Sequence, residues 1–339
     1  MTTEPRQERF KARTERRDPG CARLTPRDKL LLHLVARCLT VHTGHIERFL
    51  GVSSAVARRR SRTLKNLGLL TCFVPAPYLP NWFAITPKAK EQLVLTLVGE
   101  PEDYRVLRGL PRHLDHHAML VDVFIGASLA AARSNRLHLA ECLLEWEIRA
   151  ALGSLGARSD IQVPDLTLVV ENAQGQRLAF AIEVDLGTVS PNVMASRLLA
   201  YAQARLAGQP LRQVPDWGVL VVCPSVRRRN RLALRFHDEA GAVPEGFVHL
   251  AVVDELTERN FFLAEPWRSE QSQPDGTARL VAMSPFAALT KWSVPCSAGR
   301  SDTPSACQNT SSPPGSARSN AFYESAEREQ ALVGLGEIL

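Results

Sequence analysis

The stretch "PDLTLVVENAQGQRLAFAIEVD", residues 164–185, decides the fold of the larger part of this chain. Two apolar runs, "PDLTLVV" and "RLAFAIEVD", flank the polar segment Asn172–Gln176 and read as a β-hairpin. Asp165 opens the first strand, and Glu183 and Asp185 close the second. Residues two apart on a strand share a face, so Glu183 and Asp185 project together, and a neighbouring Asp165 would complete three carboxylates. Carboxylate oxygens are hard ligands suited to Mg²⁺ or Mn²⁺. Such an ion could activate water and steady a phosphodiester leaving group. Glu147, expected at the end of the preceding strand, is a fourth donor for the same metal.

The spacing is close to Pro-Asp, hairpin, Glu-x-Lys, the arrangement by which many DNA-cutting enzymes hold magnesium. Here Asp185 stands where that arrangement has lysine. A lysine would neutralise developing phosphate charge or help position the attacking water, whereas a carboxylate adds repulsion unless a metal absorbs it. No lysine occurs between residues 91 and 290. The best replacement is Arg197, on the helix after the Glu-x-Asp strand. Arginine keeps its proton at working pH, so Arg197 could stabilise charge but not act as a base. The competing reading is a polar rim on a domain that only binds.

Outward from the hairpin, helices and strands alternate. "HHAMLVDVFIGASLAAARS" reads as a helix and "LHLAECLLEWEI" as a strand. After the hairpin come the helix "VMASRLLAYAQARLAG", the buried strand "DWGVLVVC" and the helix "SVRRRNRLALRFHDE". "FVHLAVVDEL" is expected to be the last strand, running into a helix. This alternation predicts an α/β (α+β) domain over residues 113–268, built on a mixed sheet and restriction-endonuclease-like at its hairpin. Within it, "HLDHH" (113–117) places His113 and His117 at metal-sharing spacing. Asp115 as a cap of the opening helix is the simpler account. The arginines of "SVRRRNR" (225–231) read equally well as a solvated helix face or as auxiliary phosphate contacts.

Residues 25–98 follow a different pattern, and "PEDYRVLRGLPRHL" marks the boundary. Thr25-Pro26 opens a helix with the stripe Leu30, Leu31, Leu34, Val35 and Leu39. "TVHTGHIERFLGVS" gives a short second helix and the turn Gly51-Val52, and Ser53 is expected to cap a third. That third helix should turn Val56, Thr63, Leu64 and Leu67 inward. Arg58, Arg62 and Lys65 then line the opposite face with Arg59 beside them. Gly68 ends it, and "LLTCFV", "PAPYLPN" and "WFAIT" make a hairpin. Alone, the four cations would be a solvated face. After a helix and a tight turn, and before a hairpin, they predict a winged helix-turn-helix binding double-stranded DNA. Arg60 points nearer the core and is not counted as a contact.

The bulk numbers permit this. The 339 residues allow two cored domains, and a formal charge of +6 allows an anionic partner. Seven scattered cysteines without Cys-x-x-Cys argue against a zinc ribbon or a disulfide scaffold. No run of 18 apolar residues exists and the N-terminus is charged, so no membrane partner is expected and the cytoplasm is the default. Residues 1–24 read as a disordered basic arm, and residues 269–339 as a low-complexity tail with a terminal helix.

Taken together, "TGHIERFLGVS…LKNLGLL", "WFAITPKAK", "HLDHHAMLVDV", "VPDLTLVV", "AIEVDLGT" and "RLLAYAQ" resemble the replication-relaxation family of plasmid- and mobile-element-associated proteins. The resemblance implies a winged helix followed by a nuclease-like domain. It makes Glu-x-Asp a family feature, with Arg197 where the family often has lysine. It also implies a setting in plasmid replication, relaxation or mobilisation, with replication or transfer proteins as partners and a homodimer left open. Three functions follow as expectations. One is DNA docking, one is Mg²⁺- or Mn²⁺-dependent nicking by Asp165, Glu183 and Asp185, and one is transcriptional repression.

Overall fold

The structure is a computed structural model and describes residues 24–96, 104–154, 162–240, 243, 246–262, 267–272, 278–283 and 285–286. The expected N-terminal arm before residue 24 and the terminal helix lie outside the described residues. The chain divides into two units, residues 1–112 and 113–339.

In the first unit, α1 (Pro26–Arg37) starts at a reciprocal cap. The Asp28 N–H donates to Thr25 Oγ1 at 3.2 Å and the Thr25 N–H to Asp28 Oδ2 at 2.8 Å. β1 (Val41–His42) leads into α2 (Thr43–Leu50). Two histidines cap α2 in the same way: the His45 N–H donates to His42 Nδ1 at 3.3 Å and the His42 N–H to His45 Nδ1 at 3.2 Å. Gly51, at φ 61°, ends α2 in the left-handed conformation that glycine adopts without a Cβ clash. α3 (Ser54–Asn66) follows the turn. The carbonyls just past α3 are satisfied from outside the helix, with Lys88 Nζ donating to Leu67 O at 3.0 Å and Thr86 Oγ1 to Gly68 O at 2.6 Å. β2 (Leu70–Phe73) and β3 (Trp82–Ile85) form the hairpin, and α4 (Pro87–Thr96) closes the unit.

Three details differ from expectation. β1 pairs with β3 (Val41↔Phe83, His42↔Trp82), giving a three-stranded sheet of order β1-β3-β2. A two-residue strand has no local periodicity to announce it. Ser53 occupies the N-cap of α3, but its side chain makes no cap hydrogen bond. The buried stripe of α3 is Ala57, Ser61 and Leu64. The small residues let the helix approach closely, and the Ser61 hydroxyl is satisfied by Ala57 O at 2.9 Å.

The second unit opens with α5 (Leu114–Arg133) and β4 (Leu137–Leu144). α6 (Glu145–Ser154) precedes the hairpin of β5 (Leu166–Asn172) and β6 (Arg177–Val184). Then come α7 (Pro191–Leu206), β7 (Trp217–Cys223), α8 (Val226–Ala240) and β8 (Val248–Val252). β9 (Arg268–Ser272) and β10 (Ala278–Ala282) complete a seven-stranded sheet of order β10-β9-β8-β7-β6-β5-β4. β6, β7 and β8 run parallel and the other pairs antiparallel, so the fold is mixed α/β. α7 and α8 cover one face of the sheet, where Ala179, Ala181, Val219 and Val221 meet Leu198, Tyr201, Leu232 and Phe236. α5 packs against β4 and β6. Although α5 is long and apolar enough to cross a membrane, 61% of its apolar 18-residue window is buried by the protein.

The strand expected over "LHLAECLLEWEI" stops at Leu144, because Glu147 turns its carboxylate back onto the Leu144 N–H at 2.7 Å and begins α6. The strand at Val248–Val252 is not the last, and a 3₁₀ turn (Val253–Glu255) follows it instead of an α-helix. The expected tail contains β9 and β10, which pair in register from Ala278↔Ser272 to Ala282↔Arg268. Its polar composition hid the edge strand β10 and its neighbour β9.

Candidate acid site and basic helix face

Strand alternation builds the acid site. Ala179 and Ala181 face α7 and α8, so Glu183, two residues further, is driven into the same layer. Its side chain is fully buried, where an isolated carboxylate would be costly. α7 supplies the compensation. Ser190 caps it, accepting from the Val193 N–H at 3.3 Å, and Pro191 takes the first turn. Arg197 and Tyr201, four residues apart, therefore lie on one helical face. Arg197 Nη1 donates to Glu183 Oε2 at 2.6 Å, and the Tyr201 hydroxyl donates to Glu183 Oε1 at 2.6 Å.

Asp165 is the next position of the β5–β6 ladder after Leu166↔Ile182, which sets it opposite Glu183. Its Oδ2 accepts the Val184 N–H at 2.8 Å and lies 3.2 Å from His116 Nε2, in the first turn of α5. The hydrogen bond to Asp165 raises the His116 pKa above its ordinary value against the opposing effect of burial. Burial, followed by repulsion from Asp165, pushes the Glu183 carboxyl up to about 7, although Arg197 and Tyr201 pull the other way. Burial also raises the Tyr201 hydroxyl, keeping it a proton donor, although its phenolic oxygen accepts a hydrogen bond from the Gln162 side chain that pulls the other way.

Asp185 shares the face of Glu183 but meets the other helix. Arg228 of α8 binds it twice, Nε to Oδ2 at 2.6 Å and Nη2 to Oδ1 at 3.0 Å. The Gly187 N–H also donates to Asp185 Oδ1 at 2.8 Å, in a turn where Gly187 has φ +77°. Glu147 departs from its expected place: it sits in the first turn of α6, committed to the Leu144 N–H. The structure thus brings Asp165, Glu183 and Arg197 together, ties Asp185 to Arg228, and leaves Glu147 as a helix cap.

A divalent ion fits these residues poorly. Both oxygens of Glu183 and both of Asp185 already accept protein donors, and a metal would have to share them with cationic groups or displace those groups. Among the described residues no group of three or more His, Cys, Asp and Glu side chains is placed to hold a metal ion. Sequence reasoning missed Tyr201 and His116, and read Arg228 as a solvated or phosphate-contacting arginine, not as the partner of Asp185. The i, i+4 pair Arg197/Tyr201 was the available signal for the first.

In the first unit, Arg58, Arg59, Arg62 and Lys65 are all exposed on α3. Arg60 turns inward instead and pairs with Asp28, donating from Nε to Oδ1 at 2.9 Å, with Nη2 reaching Oδ2. Asp28 is buried and already holds the cap of α1. Of "SVRRRNR", Arg228 and Arg229 are committed to Asp185 and Glu255, while Arg227 and Arg231 are exposed.

The chain is therefore a mixed α/β protein in which a unit with a cationic helix precedes a sheet unit carrying a neutralised acid pair. A family model described as replication-relaxation matches residues 32–214, more than half of the chain. The chain belongs to the replication-relaxation family, which ties it to the replication or relaxation of a plasmid or mobile element. No curated protein matches it.

Proposed function

We propose that this chain is a DNA-binding protein of a plasmid or integrated mobile element, acting in its replication, relaxation or mobilisation. Residues 25–98 dock double-stranded DNA as a winged helix-turn-helix with α3 in the major groove. The restriction-endonuclease-like domain from residue 113, extended to the end of β10, contacts DNA or a replication or transfer protein. One observation carries the reading: four cations stay exposed on α3 while the fifth, Arg60, is withdrawn to a buried acid. The test is titration of element DNA, including its replication and transfer origins, by fluorescence anisotropy. The full chain should bind, and a variant with Arg58, Arg62 and Lys65 all changed to Ala should bind far more weakly. Equal affinity would overturn the docking.

A nicking reading draws on the convergence of Asp165 and Glu183 beside Arg197. It requires Glu183 to be released from Arg197 before Mg²⁺ or Mn²⁺ can enter. Incubation with supercoiled plasmid and either ion tests it. Relaxation lost in Asp165→Ala would support nicking at this site, and relaxation retained in that variant would exclude it.

A further inference from the structure

We infer that Arg197 is the resident cation of the Asp165–Glu183 pair, standing where a divalent ion would stand and keeping that ion out for as long as it holds Glu183. The inference is independent of DNA docking by α3. Three features of the site support it.

The first is occupancy of the donors. Glu183 offers one oxygen to Arg197 and the other to Tyr201, each at 2.6 Å, the short distance of a charge-assisted hydrogen bond. A metal ion would have to share those two oxygens with the guanidinium and the hydroxyl, or displace them. The second is charge. Asp165 and Glu183 feel one another, and Arg197 interacts with both. With the guanidinium in place, a divalent ion would meet a like charge beside its own ligands. His116, on the other side of Asp165, adds a nitrogen at 3.2 Å from the oxygen that also takes the Val184 N–H.

The third is that the block is removable. The Glu183 side chain is sealed at 0% exposure, but that of Arg197 is 37% exposed. Arg197 approaches from the helix surface and is not woven into the core, unlike Arg228, whose side chain is only 10% exposed on Asp185. Taking away the guanidinium leaves two carboxylates on adjacent strands, a tyrosine hydroxyl and a solvent path, which is a workable two-acid site for an ion that keeps several waters. The place of lysine in the Glu-x-Lys arrangement is thus filled from the next helix by a cation that contacts the acid directly.

The experiment is a Mn²⁺ titration of the full chain, followed by electron paramagnetic resonance and by thermal unfolding with and without MnCl₂. Wild type is expected to show no Mn²⁺ site that Asp165→Asn removes. Arg197→Met is expected to gain one site, to melt lower than wild type in EDTA and to recover melting temperature with Mn²⁺. The double variant Arg197→Met/Asp165→Asn should lose that recovery. If Arg197→Met is too unstable to purify without metal, refolding it with MnCl₂ should yield folded protein where EDTA does not. A wild-type Mn²⁺ site lost in Asp165→Asn would overturn the inference. So would Arg197→Met that binds no Mn²⁺ when folded, or that refolds no better with it.

Discussion

Arg228 and Asp185 form a two-bond ion pair at the end of β6, with side-chain exposures of 10% and 0%. The same guanidinium bonds Val189 O at 2.9 Å, so one side chain of α8 fixes the whole connection from β6 to α7. Removing it strands a buried carboxylate. Arg228→Ala should destabilise the second unit by about 3–5 kcal/mol, the range for breaking a buried pair on one side. Urea unfolding measures it, and Asp185→Ala/Arg228→Ala should recover part of the loss in a double-mutant cycle.

The basic face of α3 makes a prediction about salt. If Arg58, Arg62 and Lys65 each neutralise one phosphate, the triple Ala variant should lower the slope of log K against log salt by about 2 to 3. Arg60→Ala should leave that slope unchanged and lower thermal stability instead, because it uncovers Asp28.

Glu183 gives the second unit a pH dependence of unusual sign. Its folded pKa, about 7, lies above the ordinary 4.5. Between these values the unfolded chain has released the proton and the folded chain still holds it. Stability from this group therefore falls as pH rises from 4.5 to 7, by up to about 3 kcal/mol. Glu183→Gln should abolish that fall, as read from denaturant midpoints across the window.

His33 acts in the opposite direction in the first unit. Burial, with Arg37 second, depresses its pKa from 6.5 to about 4. The unfolded chain takes up a proton below 6.5 that the folded chain refuses until about 4, so stability drops as pH falls through that interval. His33→Phe should flatten this part of the profile, measured by thermal melts of the first unit's signals.

How much of this was legible beforehand differs by residue. Glycine conformational preference, capping chemistry and strand alternation are local, so Gly51, Gly68, the Thr25-Pro26 start and the shared face of Glu183 and Asp185 could be read from letters alone. The exposed cations of α3 followed from helical spacing in the same way. The partners of the buried charges could not. Arg60 lies 32 residues from Asp28, and Arg228 lies 43 from Asp185. β1, β9 and β10 exist because of pairing across the sheet, which no local period records.

The sequence by itself determined most of the helices, the hairpin Leu166–Val184 and which helix face would carry charge, since those follow from covalent geometry and periodicity. Only the tertiary structure decided which cation neutralises which acid, because a buried carboxylate takes whatever donor the packing of a distant helix delivers within hydrogen-bond reach.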